Sequence, residues 1–182
     1  MTKTEDKDLK YVWLDLETTG SSASFDIILE IGMVITDANL EPLGTFSRVL
    51  HDDGTLAMAD QVVRDMHAAN GLDQLIGDGI SLEQAEEEAI AFLKPFEKKH
   101  DFVLAGSGVS HFDRRFLDES MPRFVKWFRY YNIDVGVLRR SMKLIGREDL
   151  LMPFSQQQKT HRALDDARLH LEEMRHLRRA LS

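Results

Sequence analysis

The chain has 182 residues, with 23 Lys+Arg against 31 Asp+Glu, 43% apolar residues, no cysteine and a formal charge of −8. These proportions exclude a collagenous repeat, a disordered tail, a disulfide-stapled module and a membrane-embedded chain. At this length roughly 70% of the unfolded surface can be buried, enough for a core without metal or disulfide staples.

No run approaches the roughly 18 apolar residues of a membrane span. The polar start Met1–Asp6 has no apolar stretch of a signal peptide, so a cytoplasmic location is expected. Excess acid argues against a phosphate-bearing partner, yet the charge is uneven. Residues 1–91 carry 5 Lys+Arg and 19 Asp+Glu, whereas residues 92–182 carry 18 and 12. Such asymmetry marks a specialised surface, or an acidic helix face and a basic last helix that are simply solvated.

Residues 1–9 are polar and are expected to form a flexible start, with a single domain over residues 10–182. From Tyr11 to Glu17 the alternation predicts a strand, with Val12, Leu14 and Leu16 on one face and Trp13, Asp15 and Glu17 on the other. Ile27 to Thr36 and Leu43 to Leu50 read as two further strands of an antiparallel meander. Helices are expected at 60–69 and 81–99, the latter capped by Ser81, with a short strand from Phe102 to Ala105. A helix over 112–119, a strand over 130–134, a helix over 135–145, a loop over 150–159 and a basic helix over 161–180 complete the order. Strands first, then alternating helix and strand, predict an α/β domain with a mixed five-stranded sheet flanked by helices.

Asp15-Leu16-Glu17 stands out inside an apolar strand. Period-two geometry puts both carboxylates on one face with Cα atoms about 6.6 Å apart, and burying such a pair requires a compensating cation. The turn residues Thr18, Thr19 and Gly20 place the acids at a strand end, where a hard divalent ion could take oxygen ligands. Asp113 falls in the first turn of a predicted helix, and Asp165 and Asp166 near the head of the last one. Each of these also suits a helix dipole.

In order, Asp-x-Glu on the first strand, Asp after a later strand, and His161 with Asp166 near a C-terminal helix resemble the DEDDh group of 3′–5′ exonucleases. Within it, the chain is most similar to the oligoribonucleases. Trp13 to Gly20, Ile28 to Gly32, Met66-His67, Asp113 to Leu117, Ile133 to Val135 and Thr160 to Asp166 carry the resemblance. It implies an RNase H-like exonuclease fold and 3′–5′ hydrolysis of short single-stranded oligoribonucleotides to 5′ mononucleotides. It also implies two divalent ions, Mg²⁺ or Mn²⁺, held by Asp15, Glu17, Asp113 and Asp166, with His161 as general base. A homodimer is implied as well, to which Trp127, Phe128 and the final helix could offer apolar surface.

In an ideal helix His161 would face Asp165, with Asp166 about 140° around the axis. The family pattern uses Asp166, which requires His161 on the loop before the helix or at its first residue. Thr18, Gly20, His67, Ser110 and Tyr130 are candidate substrate contacts, with Trp13 read as core.

The resemblance weakens at substrate choice. Ser21 stands where oligoribonucleases usually carry an apolar wedge. Tyr131, Gly136 and Val137 replace an arginine and two hydroxyls that close over a 5′ phosphate. Either Arg129, Arg139 and Arg140 substitute for them, or the pocket is open to longer strands, which is the reading expected here. A DNA-directed exonuclease and a non-catalytic nucleic-acid-binding scaffold are the alternatives.

Overall fold

Two long apolar runs near the start of the chain pair directly. Strands β1 (Lys10–Thr18) and β2 (Ile28–Thr36) form an antiparallel ladder in which Asp15 lies opposite Gly32 and Glu17 opposite Glu30. Strand β3 (Pro42–Val49) continues the meander along β2. Strands β4 (Phe102–Gly106) and β5 (Phe128–Asp134) then join on the other side of β1, both parallel. The resulting five-stranded mixed sheet has the order β3-β2-β1-β4-β5, so the acidic strand is central. The computed structural model describes residues 9–96, 101–156 and 159–182, and only the backbone of Phe154.

Both faces of the sheet are covered, which is why β1 is buried from Val12 to Thr18 although its sequence alternates. Val12, Leu14 and Leu16 face the larger core, shared with α2 (Leu82–Leu93), α3 (Asp113–Ser120) and α4 (Pro122–Val125). Trp13 faces the opposite core with Val34, Val135 and Leu171, the last two from α5 (Val135–Leu144) and α6 (Ala163–Ala180). Its indole N–H donates to Thr36 Oγ1 at 3.1 Å, satisfying the one polar atom of a fully buried side chain. Helix α1 (Gln61–Asn70) ends at Gly71, whose φ of 75° is the left-handed C-terminal stop that glycine adopts without strain.

Ser81 caps α2 as expected, its Oγ accepting from the Gln84 amide at 3.2 Å. That helix ends at Leu93 rather than 99, of which residues 97–99 lie outside the described residues. Helix α4, with proline at its first position, was not anticipated, and short 3₁₀ turns occupy parts of the expected 150–159 loop. Of the expected flexible start, residues 1–8 lie outside the described residues, but Leu9 is buried in the fold.

Phe128 is a core residue, edge-on to Phe124 with ring centroids 5.0 Å apart, and Trp127 packs partly buried against the same cluster. Phe128 therefore offers no free apolar surface to a second copy. Among the described residues no helix is long and apolar enough to cross a membrane.

Candidate active site

The carboxyl ends of the parallel strands β1 and β4 open into a cavity of about 460 Å³ whose lining includes Asp15, Glu17, Asp113 and His161. Period two puts Asp15 and Glu17 on the α6 side of the sheet. The head of α6 crosses that side at Gly32, the ladder partner of Asp15. A Cβ at Gly32 would run into the backbone of Ala163 and Leu164, so only glycine permits this crossing. The close approach sets Asp166, on the first turn of α6, beside Asp15. Asp113 arrives from the opposite side at the start of α3, its Oδ1 accepting the Leu16 amide at 3.0 Å.

Helix α6 begins at Ala163, not at 161. Arg162 is extended, and His161 has a φ of 55°, a left-handed conformation that costs a side-chain-bearing residue energy. Two contacts hold this loop. The buried Glu30 carboxylate receives the Arg162 guanidinium at 2.9 and 3.0 Å and the Ala163 amide at 3.0 Å. The Asn70 side-chain amide donates to the His161 carbonyl, while its Oδ1 accepts from Leu72 N at 2.9 Å. His161 is thereby presented from the loop toward the carboxylates. One ligand atom each of Glu17, His161 and Asp166 lie within 4.8 Å of one another. Asp165 points outward to Arg168 and takes no part.

Concentrating acids here has the expected electrostatic result. Burial, with the negative charges of Asp166 and Glu30, pushes the Asp15 carboxyl up to about 7 despite the nearby Lys159. Burial and the Asp15 and Asp166 charges push Glu17 up to about 8, and burial together with Asp15 raises Asp113 well above the carboxylate range. Buried acids that resist ionisation alone ionise readily around a divalent cation. Asp166 Oδ2 is buried without a hydrogen bond, while its Oδ1 accepts from Thr160 N at 2.9 Å. A clustered, oxygen-rich set, in which Asp166 Oδ2 accepts no hydrogen bond and has only the loose Lys159 ammonium beside it at 3.4 Å, fits a hard divalent ion, the cofactor class that the sequence resemblance implies.

The expected substrate contacts separate. Thr18 and Gly20 line the cavity, and Thr18 Oγ1 donates to Gly20 O at 2.6 Å. Ser110 stands beside the mouth without lining it. Its amide donates to Asp134, the α5 cap, which also accepts from Gly108 N and Val137 N. Burial alone would raise Asp134, but these three backbone amides hold its carboxyl below the usual range.

His67 is fully buried behind the cavity wall, and its Nε2–H donates to the Thr18 carbonyl at 3.0 Å. In this fold it supports the strand end instead of reaching a base. Tyr130 is 92% exposed on the sheet edge and lines a different hollow with Arg129 and Tyr131. Neither it nor Arg129, Arg139 or Arg140 lines the acidic cavity. Arg139 is instead committed to Glu173 at 2.6 and 2.9 Å. A Cβ at Gly136 would lie 2.9 Å from Ser107 Oγ and 3.1 Å from Asp134 Oδ1, so a side chain there would require the Ser107 hydroxyl to turn away.

Three residues that shape this site, Lys159, Glu30 and Asn70, stand outside the candidate site residues of the sequence, although Glu30 lies within the Ile28 to Gly32 motif. Glu30 alone carried a signal, a charge inside the apolar run of β2.

The exonuclease family profile matches residues 12–174. The chain is 35% identical over 170 residues to the oligoribonuclease of Pseudomonas savastanoi pv. phaseolicola, covering 92% of this chain and 93% of that one. It is 35% identical over 172 residues to the oligoribonuclease of Pseudomonas putida, with the same coverage. In three dimensions it resembles a zinc-bound E. coli exonuclease I–ssDNA complex, with a TM-score of 0.70 at 13% identity over 96% of this chain. Exonuclease I of Methylocaldum szegediense gives a TM-score of 0.71 at 18% identity over 94%. The chain spans only 41% and 40% of those two structures, so they bear on the fold alone. Its sheet, its acidic strand end and its match to the family along nearly its whole length agree: the chain belongs to the exonuclease family, with oligoribonucleases among its relatives.

Proposed function

We propose that the protein is a metal-dependent 3′–5′ exoribonuclease that hydrolyses short single-stranded RNA to 5′ mononucleotides. The observation that carries this reading is the meeting of Asp15, Glu17, Asp113, Asp166 and His161 around one cavity at the strand ends. The relatives in Pseudomonas, named oligoribonucleases, support RNA over DNA.

Asp15, Glu17, Asp113 and Asp166 would hold two divalent ions, Mg²⁺ or Mn²⁺. When bound, such a pair lowers the pKa of water and stabilises charge on the leaving oxygen during in-line displacement. His161, held by its loop beside Glu17 and Asp166, takes the proton of the attacking water. Thr18 and Gly20 line the path of the terminal nucleotide. Because no arginine lines the cavity among the described residues, strands longer than a dinucleotide can enter. We infer that one domain, residues 10–182, carries this activity in the cytoplasm, and that the enzyme works as a homodimer.

The test is turnover of 5′-labelled RNA and DNA of two, five and twenty nucleotides in Mg²⁺ or Mn²⁺. The expected result is stepwise release of 5′ mononucleotides from the 3′ end of RNA of all three lengths, abolished by Asp15→Ala. Faster cleavage of DNA would move the assignment to a DNA exonuclease, and activity confined to dinucleotides would overturn the open pocket. Sedimentation reads the dimer independently.

A further inference from the structure

The cation nearest the carboxylates belongs to the chain itself. Lys159 Nζ lies 3.4 Å from Asp15 Oδ1 and 3.4 Å from Asp166 Oδ2, two oxygens from different elements. Among the described residues it is the one Lys or Arg side chain lining the cavity. Its position is set by the fold: the next residue, Thr160, is tied by its amide to Asp166. The site thus holds the root of Lys159 at its own edge.

Both contacts are looser than the roughly 2.7–2.9 Å of a tight charge-assisted hydrogen bond, and the ammonium straddles the two acids without locking to either. The acids are buried, at 7% and 1% side-chain exposure, whereas the lysine is 40% exposed. An ammonium on a flexible four-carbon stem can therefore swing out while the carboxylates stay in place. A divalent ion that bonds oxygen at about 2.0–2.1 Å needs the same oxygens and brings twice the charge.

We propose that Lys159 is a built-in counter-ion of the catalytic centre, which balances Asp15 and Asp166 until a divalent cation displaces it. This rests on the metal-nuclease reading and adds a competition to it. The free enzyme does not leave its acids uncompensated, and metal loading has a threshold set by the displacement of an internal cation. Once displaced, the ammonium remains in the cavity, facing the phosphates of an entering strand.

The test is Mn²⁺ binding to the substrate-free protein, followed by the electron paramagnetic resonance signal of free Mn²⁺. Lys159→Met keeps the apolar stem and removes the charge, and Lys159→Arg keeps the charge. Lys159→Met is expected to bind Mn²⁺ about tenfold more tightly than the native protein, and Lys159→Arg within about threefold of it. In EDTA, Lys159→Met should melt below the native protein and gain more on Mn²⁺ addition. Equal or weaker Mn²⁺ binding by Lys159→Met overturns the proposal, even if all three proteins cleave RNA. Failure of the nuclease reading is distinct: no Mn²⁺ binding and no cleavage by any of them, which overturns both.

Discussion

Gly32 lies directly across the β1–β2 ladder from Asp15, and the space its missing side chain leaves is filled by the backbone of Ala163 and Leu164. One absent methyl group thus sets the distance between the strand that carries two acids and the helix that carries a third. Gly32→Ala should push the head of α6 off the sheet. Overpacking against backbone, which cannot rotate away, is expected to cost about 3 kcal/mol in urea denaturation. Cleavage should fall at least about a hundredfold, because Asp166 and His161 move together. Gly77, where an added Cβ meets nothing within 4 Å, is the control, and Gly77→Ala should leave both measurements near native.

Asn70 ties α1 to the loop before α6 through the His161 carbonyl. Its side-chain hydrogen bonds among the described residues go to the His161 carbonyl and from the Leu72 amide, so its effect on chemistry runs through the orientation of His161. Asn70→Ala should lower kcat about tenfold with KM within about twofold of native, and cost about 1 kcal/mol of stability. Steady-state kinetics on a five-nucleotide RNA, beside a melting curve, separates the two effects. A matching drop in kcat and in folded fraction would mean that Asn70 serves the fold alone.

The sheet and the acid pair of β1 were readable from sequence because both rest on periodicity, whereas Asp113 and Asp166 were marked only by the resemblance to the exonucleases. Alternation in β1 places Asp15 and Glu17 on one side whatever packs there, and the apolar runs of β2 and β4 leave few other ways to build a sheet. His161 was harder. Helical spacing alone pairs it with Asp165, and the choice of Asp166 depends on a left-handed φ at 161 that no propensity predicts. Lys159 and Asn70 were invisible for the same reason: each acts across a loop, through contacts between residues far apart in the chain. His67 misled because a histidine near a functional motif reads the same whether it faces a ligand or, as here, a backbone carbonyl in the core.

His170, one turn after Asp166 on α6, is 1% exposed, and neither ring nitrogen makes a hydrogen bond among the described residues. Burial, with the charges of Lys159 and Arg139, pulls its pKa down to about 3. Its Nδ1 stands 3.9 Å from Asp15 Oδ1, too far for a hydrogen bond. The folded state therefore holds this ring neutral, while the unfolded chain takes up a proton below its ordinary value of about 6.5. The sign follows: the ring's contribution is intact above pH 6.5 and is lost as pH falls from there toward 3. His170→Leu should stabilise the protein by about 1–2 kcal/mol at pH 8 by removing two orphaned nitrogens. The gain should be larger at pH 5, as read by urea denaturation at both values.

Asp15 and Glu17 work in the opposite direction. Their folded values, about 7 and about 8, lie above the ordinary 3.8 and 4.5. The metal-free fold therefore binds more protons than the unfolded chain between about pH 4 and 8. Their stabilising contribution is complete below pH 4 and is lost as pH rises through 7 and 8, at up to about 1.4 kcal/mol per pH unit for each group. Between pH 6.5 and 8 the unfolded His170 ring gives up its last half proton, a small gain in stability that the larger loss from the raised acids outweighs. In EDTA, the melting temperature should fall from pH 6.5 to pH 8. A divalent ion reverses the sign, because it favours the ionised carboxylates, and deprotonation then strengthens metal binding and with it the fold. In excess Mg²⁺ the melting temperature should stay level or rise over the same interval. Parallel melting curves in EDTA and Mg²⁺ at pH 6.5, 7.25 and 8 would make the crossing visible. Identical slopes in the two buffers would mean that Asp15 and Glu17 do not meet a divalent ion in the folded protein. With Asp15→Asn, the fall in EDTA should become shallower, since one raised acid is gone and its charge no longer pushes up Glu17 and Asp113.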